Sequence, residues 1–452
     1  MIKRKKYILI TLVLFVLLFL TFEMKYYYYG SKTPLKKEVP KKNLYDRVLV
    51  IAPHPDDESL GAAGIIQNAI KNGGKVKVVV ITNGDGFTRA VMKNYNISFP
   101  KPHDYIKMGY ERQKETLNAL SFLGVKKNDI IFLGYPDKGL SYLWGDYWNT
   151  PYKSFGPKVT HSPYDNSFDK NVEYEGKKVV KDLTKIINDY DPTLVVYPHP
   201  NEVHPDHWGT NSFTKYTLFT LKKNDIPQYL YIIHRSDWPL PFGKHTYLNL
   251  NPPPNLLNTG TNWHLYPLTN HQIDKKGTAL LMYKTQVKVM KDFLSAFCRK
   301  TELFGDYKDG IIKNYTGGNL DNYKAIIDPF RDNLRDYENS AADITYVYAY
   351  TENNKLNIYI KCREKANSDY EYLFYGIFFK DNKEIGRIKA RVISGKMKNM
   401  NFGYASIKNG IVHITIPFDK YKGFDYIYIA VDSLANKRLI DKSAWHMLKR
   451  AK

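Results

Sequence analysis

RVLVIA (47–52) runs into PHPDDE (53–58), an Ala/Gly/Ile stretch around Leu60 to Ile70 follows, and VKVVVIT (76–82) comes next. Two β-branched runs separated by a turn and a helix form a βαβ unit, whose strands are parallel because the crossover is long enough to return the chain. The pattern then repeats. A helix is expected from about Tyr110 to Leu123, closed by Gly124, followed by strand Ile130 to Leu133, helix Val179 to Tyr190 and strand Thr193 to Tyr197. This alternation predicts an α/β fold with a Rossmann-like, doubly wound, mostly parallel sheet. Ligands of such sheets bind beyond the carboxyl ends of the strands.

Residues 138–172 and 236–270 are aromatic and Pro-rich with little periodicity, so they read as long loops over that edge. A single helix is expected from about Lys275 to Phe297. From about Ala341 the period changes to two: ITYVYAYT, KLNIYIK, YLFYGIFF and IGRIKARVI are separated by the turns ENN and DN, with further strands at Ile411 to Pro417 and Tyr426 to Val431. Short alternating strands joined by hairpin turns predict an antiparallel β-sandwich over 340–452, after an α/β domain over 45–330.

The 452 residues carry 43% hydrophobic and 25% charged residues, which excludes wholesale disorder and leaves room for two cores. The net charge is +22. That excess suits an anionic surface; no nucleic-acid motif or concentrated basic helix accompanies it, so no nucleic-acid partner is expected. Lys3 to Lys6 precede an apolar run from Tyr7 to Phe22, and Tyr26 to Tyr29 follow without a small-x-small cleavage site. These features predict an uncleaved membrane anchor over 1–29 and a basic tether over 30–44. The positive-inside rule then puts the remainder of the chain outside the cell. Cys298 and Cys362 are too few for a disulfide scaffold; they either pair or remain buried thiols.

The chemistry lies directly after two of the strands. His54, Asp56 and Asp57 follow the first, and His199, Glu202, His204, Asp206 and His207 follow the Thr193 to Tyr197 strand. A hydrolytic zinc site takes three N/O ligands and keeps one position open for water. His54 and Asp57, three apart in a turn that opens a helix, can face one point, and a His from the second turn completes the set. Asp56 is displaced toward the neighbouring water, where a carboxylate serves as general base. Glu58 is expected to complement the helix N-terminus. Asp85, in TNGDG, fits a turn or a supporting role. His199, His234, His264 and His271 lie near the same edge and read as structural. Tyr142, Trp144, Trp148, Trp238 and Trp263 fit either sugar stacking or ordinary loop packing.

At PHPDDE (53–58) and HPDH (204–207) the sequence resembles the LmbE-like or PIG-L family of zinc-dependent N-acetylglucosaminyl deacetylases, over roughly 45–310. The resemblance implies that His54, Asp57 and His207 bind Zn²⁺, or another divalent ion such as Fe²⁺. It implies that Asp56 is the general base and that His204 is the electrophilic or acid group, oriented by Asp206. Arg112 and Asp137 correspond to sugar-hydroxyl contacts, although an ion pair and a turn explain them equally. Some members carry a Tyr where this chain has Glu202. The implied activity is removal of acetyl from an N-acetylated amino sugar in a surface glycan or wall polymer. A same-family amidase acting on a non-acetyl amide is one alternative, and a glycan-binding protein with an inactive scaffold is another.

Overall fold

A computed structural model describes residues 36–37, 43–235, 238–329, 334–398 and 403–451; the expected anchor and most of the tether lie outside the described residues. Among the described residues no helix is long and apolar enough to cross a membrane.

The first sheet contains β1 (Arg47–Ala52), β2 (Lys75–Thr82), β3 (Ile130–Tyr135), β4 (Leu194–Pro198), β5 (Gln228–Tyr231), β6 (Thr261–Pro267) and β7 (Thr301–Tyr307). Its order is β6-β7-β5-β4-β1-β2-β3, with a two-residue strand at Lys36–Lys37 outside β6. Strands β1 to β5 are mutually parallel, while β7 runs antiparallel to both β5 and β6. All five residues of β4 and five of six in β1 are buried, which is why these segments read as continuous apolar runs: helices cover both faces. The chain leaves β1 for β2 and β3 on one side and later places β4 on the other. The crevice between the ends of β1 and β4 is therefore the switch point of the sheet.

Helix α1 (Asp57–Lys71) follows β1 directly, and α2 (Thr88–Tyr95) and α3 (Pro102–Leu123) follow β2. A short α4 (Leu140–Trp144) interrupts the loop after β3, and α5 (Gly176–Tyr190) and α6 (Pro205–Thr220) flank β4. Gly61 lets α1 lie tight on the sheet; a Cβ there would fall 2.6 Å from the Tyr231 ring. A buried ion pair, Lys276 to Glu302 at 2.9 Å, clasps the same helix, with Lys276 donating to the Leu60 carbonyl and Glu302 accepting the Gly64 amide.

Three sequence expectations are corrected here. The helix expected over 275–297 is two, α7 (Asn270–Leu280) and α8 (Lys284–Ser295), because Tyr283 turns inward between them and bonds Glu58 and Ser59. The loop expected over 236–270 contains β6, whose pairing partner β7 lies more than thirty residues further on. The second sheet begins at Gly310–Asn314, which pairs parallel with His446–Arg450 and with Ile344–Glu352, so the boundary falls before 310 rather than between 330 and 340.

The C-terminal part is otherwise antiparallel, with ten of its twelve described strands on one hydrogen-bonded path and two more paired at its side. Its hairpin turns are those the sequence predicts: Asn353-Asn354 and Asp381-Asn382 all have positive φ, as a two-residue turn matched to strand twist requires. One hydrophobic core spans both parts. Phe213, Tyr216 and Phe219 on α6 pack with Phe379, Tyr426, Tyr428 and Trp445 around Trp144. Arg387 lies 3.4 Å from the Trp148 ring centroid and donates to the Trp144 carbonyl. Cys298 belongs to the first core and Cys362 to that of the sandwich; both are free thiols.

Candidate active site

The turn after β1 is tight. Asp56 takes φ 119°, a left-handed conformation that L residues seldom adopt, before the chain enters α1. Its amide donates to Glu58 Oε2 at 3.1 Å, and the other Glu58 oxygen is held by the Tyr283 hydroxyl. Glu58 therefore satisfies the turn and not only the helix dipole. Arg112, reaching in from α3, bonds Pro55 O, Gly84 O at 2.8 Å and Asp56 Oδ2 at 3.3 Å. Gly84, at φ +61°, is obligatory for this contact, because a Cβ there would fall 1.9 Å from the guanidinium.

The turn after β4 faces it. His204 caps α6, its Nδ1 accepting the Asp206 amide at 3.2 Å, and His207 lies in the first turn. The two turns converge: the His54 and His207 ring centroids are 5.3 Å apart, and Asp57 Oδ2 lies 3.1 Å from both His54 Nδ1 and His207 Nε2. His204 stands 4.8 Å from His54 and is half-buried. The other side of each imidazole is also engaged. His54 Nε2 lies 3.1 Å from Asp206 Oδ2 and 3.4 Å from Asp137 Oδ1, and His207 Nδ1 lies 3.1 Å from Glu202 Oε1.

These contacts correct one assignment and complicate two. The Asp206 carboxylate does not orient His204; it accepts the Lys138 and Leu140 amides and bonds His54, and only its backbone N–H reaches His204. Arg112 is buried, and its guanidinium is spent on the two turns and Asp56 rather than presented to a ligand. Asp137 is likewise buried, accepting the Gly86 amide at 2.7 Å and facing His54.

The sequence reading takes His234 as structural and names Glu202 without a role; both belong to the site. His234, just beyond β5, brings a ligand atom within 4.8 Å of those of Asp57 and His207, and its ring centroid lies 4.6 Å from that of His207. The strand-end rule that found the other turns also finds it once β5 is recognised. Glu202 carried no motif. His199, by contrast, is structural: it bonds Thr261 and Asn201 and stacks on Trp263. Trp144, Trp238 and Trp263 are buried in cores, whereas Tyr142 is 53% exposed.

Burial dominates the electrostatics. It raises the Asp56 carboxyl well above its usual range against the pull of Arg112, and raises Asp85 to about 7, where Asp137 adds to the effect. Asp57 is held well below the carboxylate range by His207 and His54 despite its burial. Burial, with His54, His234 and His207 nearby, keeps His204 uncharged.

The donor set fits a divalent metal. His207 Nε2 is buried and, apart from Asp57 Oδ2 at 3.1 Å, has no polar partner, so the two atoms face one another where a cation could lie. Two imidazoles and one carboxylate are the N/O ligands of a zinc-type hydrolytic site. An α/β sheet with such a cluster at its switch point has the donor set and the placement of a hydrolytic metal site.

The comparisons sharpen that class. Residues 49–218 match the family model described as PIG-L, GlcNAc-PI de-N-acetylase. A probable N-acetyl-α-D-glucosaminyl L-malate deacetylase 2 of Bacillus subtilis is 28% identical over 40% of this chain and 65% of its own length. The protein of the same description from Bacillus anthracis is 25% identical over 63% of this chain and 96% of its own. The crystal structure of the A40926 pseudoaglycone deacetylase Dbv21 is 20% identical, covering 58% of this chain and 99% of that one, with a TM-score of 0.37. The first domain thus carries a PIG-L/LmbE-like segment over residues 49–218.

Proposed function

We propose that the protein is a divalent-metal hydrolase that removes the acetyl group from an N-acetylglucosamine-type sugar within a surface glycan or wall polymer. The observation that carries this reading is the convergence of His54, Asp57 and His207 on one point, with Asp56 beside it. His54, Asp57 and His207 would hold a divalent ion such as Zn²⁺ or Fe²⁺, which would supply Lewis acidity and lower the pKa of a water beside them. Asp56, raised by burial, accepts the proton of the attacking water, and Arg112 fixes its orientation. His204 is half-open and uncharged, so it can donate a hydrogen bond to the oxygen that becomes negative as water adds to the amide carbonyl. The C–N bond then breaks, the nitrogen takes the proton from Asp56, and acetate and a free amine leave.

The location of the activity is part of the proposal. The basic Lys3 to Lys6 cluster and the apolar run to Phe22 support an anchored chain with its catalytic domain outside the cell. The test is acetate release from N-acetylglucosamine oligomers by the metal-loaded full chain and by Asp56→Ala. Release by wild type alone supports the reading. Metal binding without acetate favours an amidase on another acyl group, and neither metal nor acetate favours a binding protein.

A further inference from the structure

Glu202 occupies the turn between β4 and α6 with its carboxylate enclosed. Oε1 accepts from the Ile233 amide at 2.6 Å and Oε2 from the His234 amide at 2.8 Å, while the Val203 amide donates back to the His234 carbonyl. The turn is thereby closed onto the end of β5. The same Oε1 lies 3.1 Å from His207 Nδ1. A carboxylate oxygen that already accepts a backbone amide faces Nδ1, so the ring is turned with Nδ1 toward Glu202 and Nε2 toward Asp57, 3.1 Å away.

We infer that Glu202 is a positioning residue that fixes His207 as an Nε2 donor to a divalent metal. The inference rests on the metal-dependent reading above. Asp206 stands behind His54 in the corresponding way, so each imidazole has a carboxylate on the nitrogen turned away from Asp57. A carboxylate in that place sets the tautomer and ring orientation and makes the imidazole a stronger donor.

The experiment measures zinc affinity of the full chain by competition with a chromophoric chelator, and the visible absorption of the Co²⁺-loaded protein, for wild type, Glu202→Gln and Glu202→Ala. Glu202→Ala is expected to bind zinc about 10–100-fold more weakly, with Glu202→Gln weakened in the same direction and the Co²⁺ band shifted in both. A folded Glu202→Ala with wild-type affinity and spectrum overturns the assignment. If that variant does not fold, an unchanged Glu202→Gln overturns it instead. Wild type that holds no zinc overturns the metal-dependent reading itself, a result distinct from wild-type zinc binding that the variants leave unaltered.

Discussion

Arg112 separates a substrate contact from a structural one. In Arg112→Met the guanidinium is lost from Pro55 O, Gly84 O and Asp56 Oδ2, all enclosed. Removing one partner of a buried ion pair costs about 3–5 kcal/mol, because the remaining charge is left without compensation. That is a large share of the roughly 5–15 kcal/mol that holds a domain together. Arg112→Lys retains the charge but reaches fewer acceptors, so its loss should be smaller, about 1–3 kcal/mol for an acceptor left unmet. Asp56 loses its anchor in both variants, and a base displaced by an ångström lowers turnover on the order of 10²-fold. Denaturant unfolding and steady-state deacetylation kinetics on the same preparations read both effects. The expected pattern is reduced stability and kcat with KM changed by less than about threefold. A tenfold or greater rise in KM with stability and kcat intact refutes the reasoning and makes Arg112 a sugar contact.

Asp56→Asn should lower kcat by about 10²–10⁴-fold while zinc content stays at the wild-type level, measured by acetate release and elemental analysis, because an amide cannot take the proton but fits the left-handed turn. Trp144→Ala should destabilise the full chain by about 3–5 kcal/mol in a denaturant titration, since the ring is buried among Phe213, Tyr216, Tyr428 and Trp445 from both parts of the molecule. Burial moves His199 from 6.5 to about 3, so the unfolded chain takes up a proton that the folded chain refuses; stability present above pH 6.5 is lost as pH falls toward 3, by about 2 kcal/mol at pH 5. The stability gap between wild type and His199→Gln should narrow by that amount from pH 7 to pH 5, and an unchanged gap removes the assignment.

How much of this was legible depends on how local each signal is. The turn after β1 is written in adjacent residues: a β-branched strand, PHPDDE, then small helix formers, so both the strand end and the ligands were readable together. The hairpins Asn353-Asn354 and Asp381-Asn382 were readable because positive φ demands residue types that the sequence displays. Pairing between distant segments was not. β6 and Gly310–Asn314 have little periodicity of their own and become strands only against partners supplied by the fold. The parts played by His234 and Glu202 were not readable for the same reason, since β5 is four residues long and Glu202 acts through amides some thirty residues away. The break before α8 follows from a buried Tyr283 hydroxyl that needs Glu58, a contact no helical period records. Asp206 kept its place in the site but changed partner, because spacing puts it beside His204 while the fold turns its carboxylate to His54.

The most direct test is crystallography of the metal-loaded full chain with anomalous scattering at the zinc edge. One ion per chain is predicted, bonded to His54, Asp57 and His207 at about 2.0–2.2 Å. An ion seated instead on the far side of His54 with Asp137 and Asp206, or no ion near His207 at all, contradicts the account.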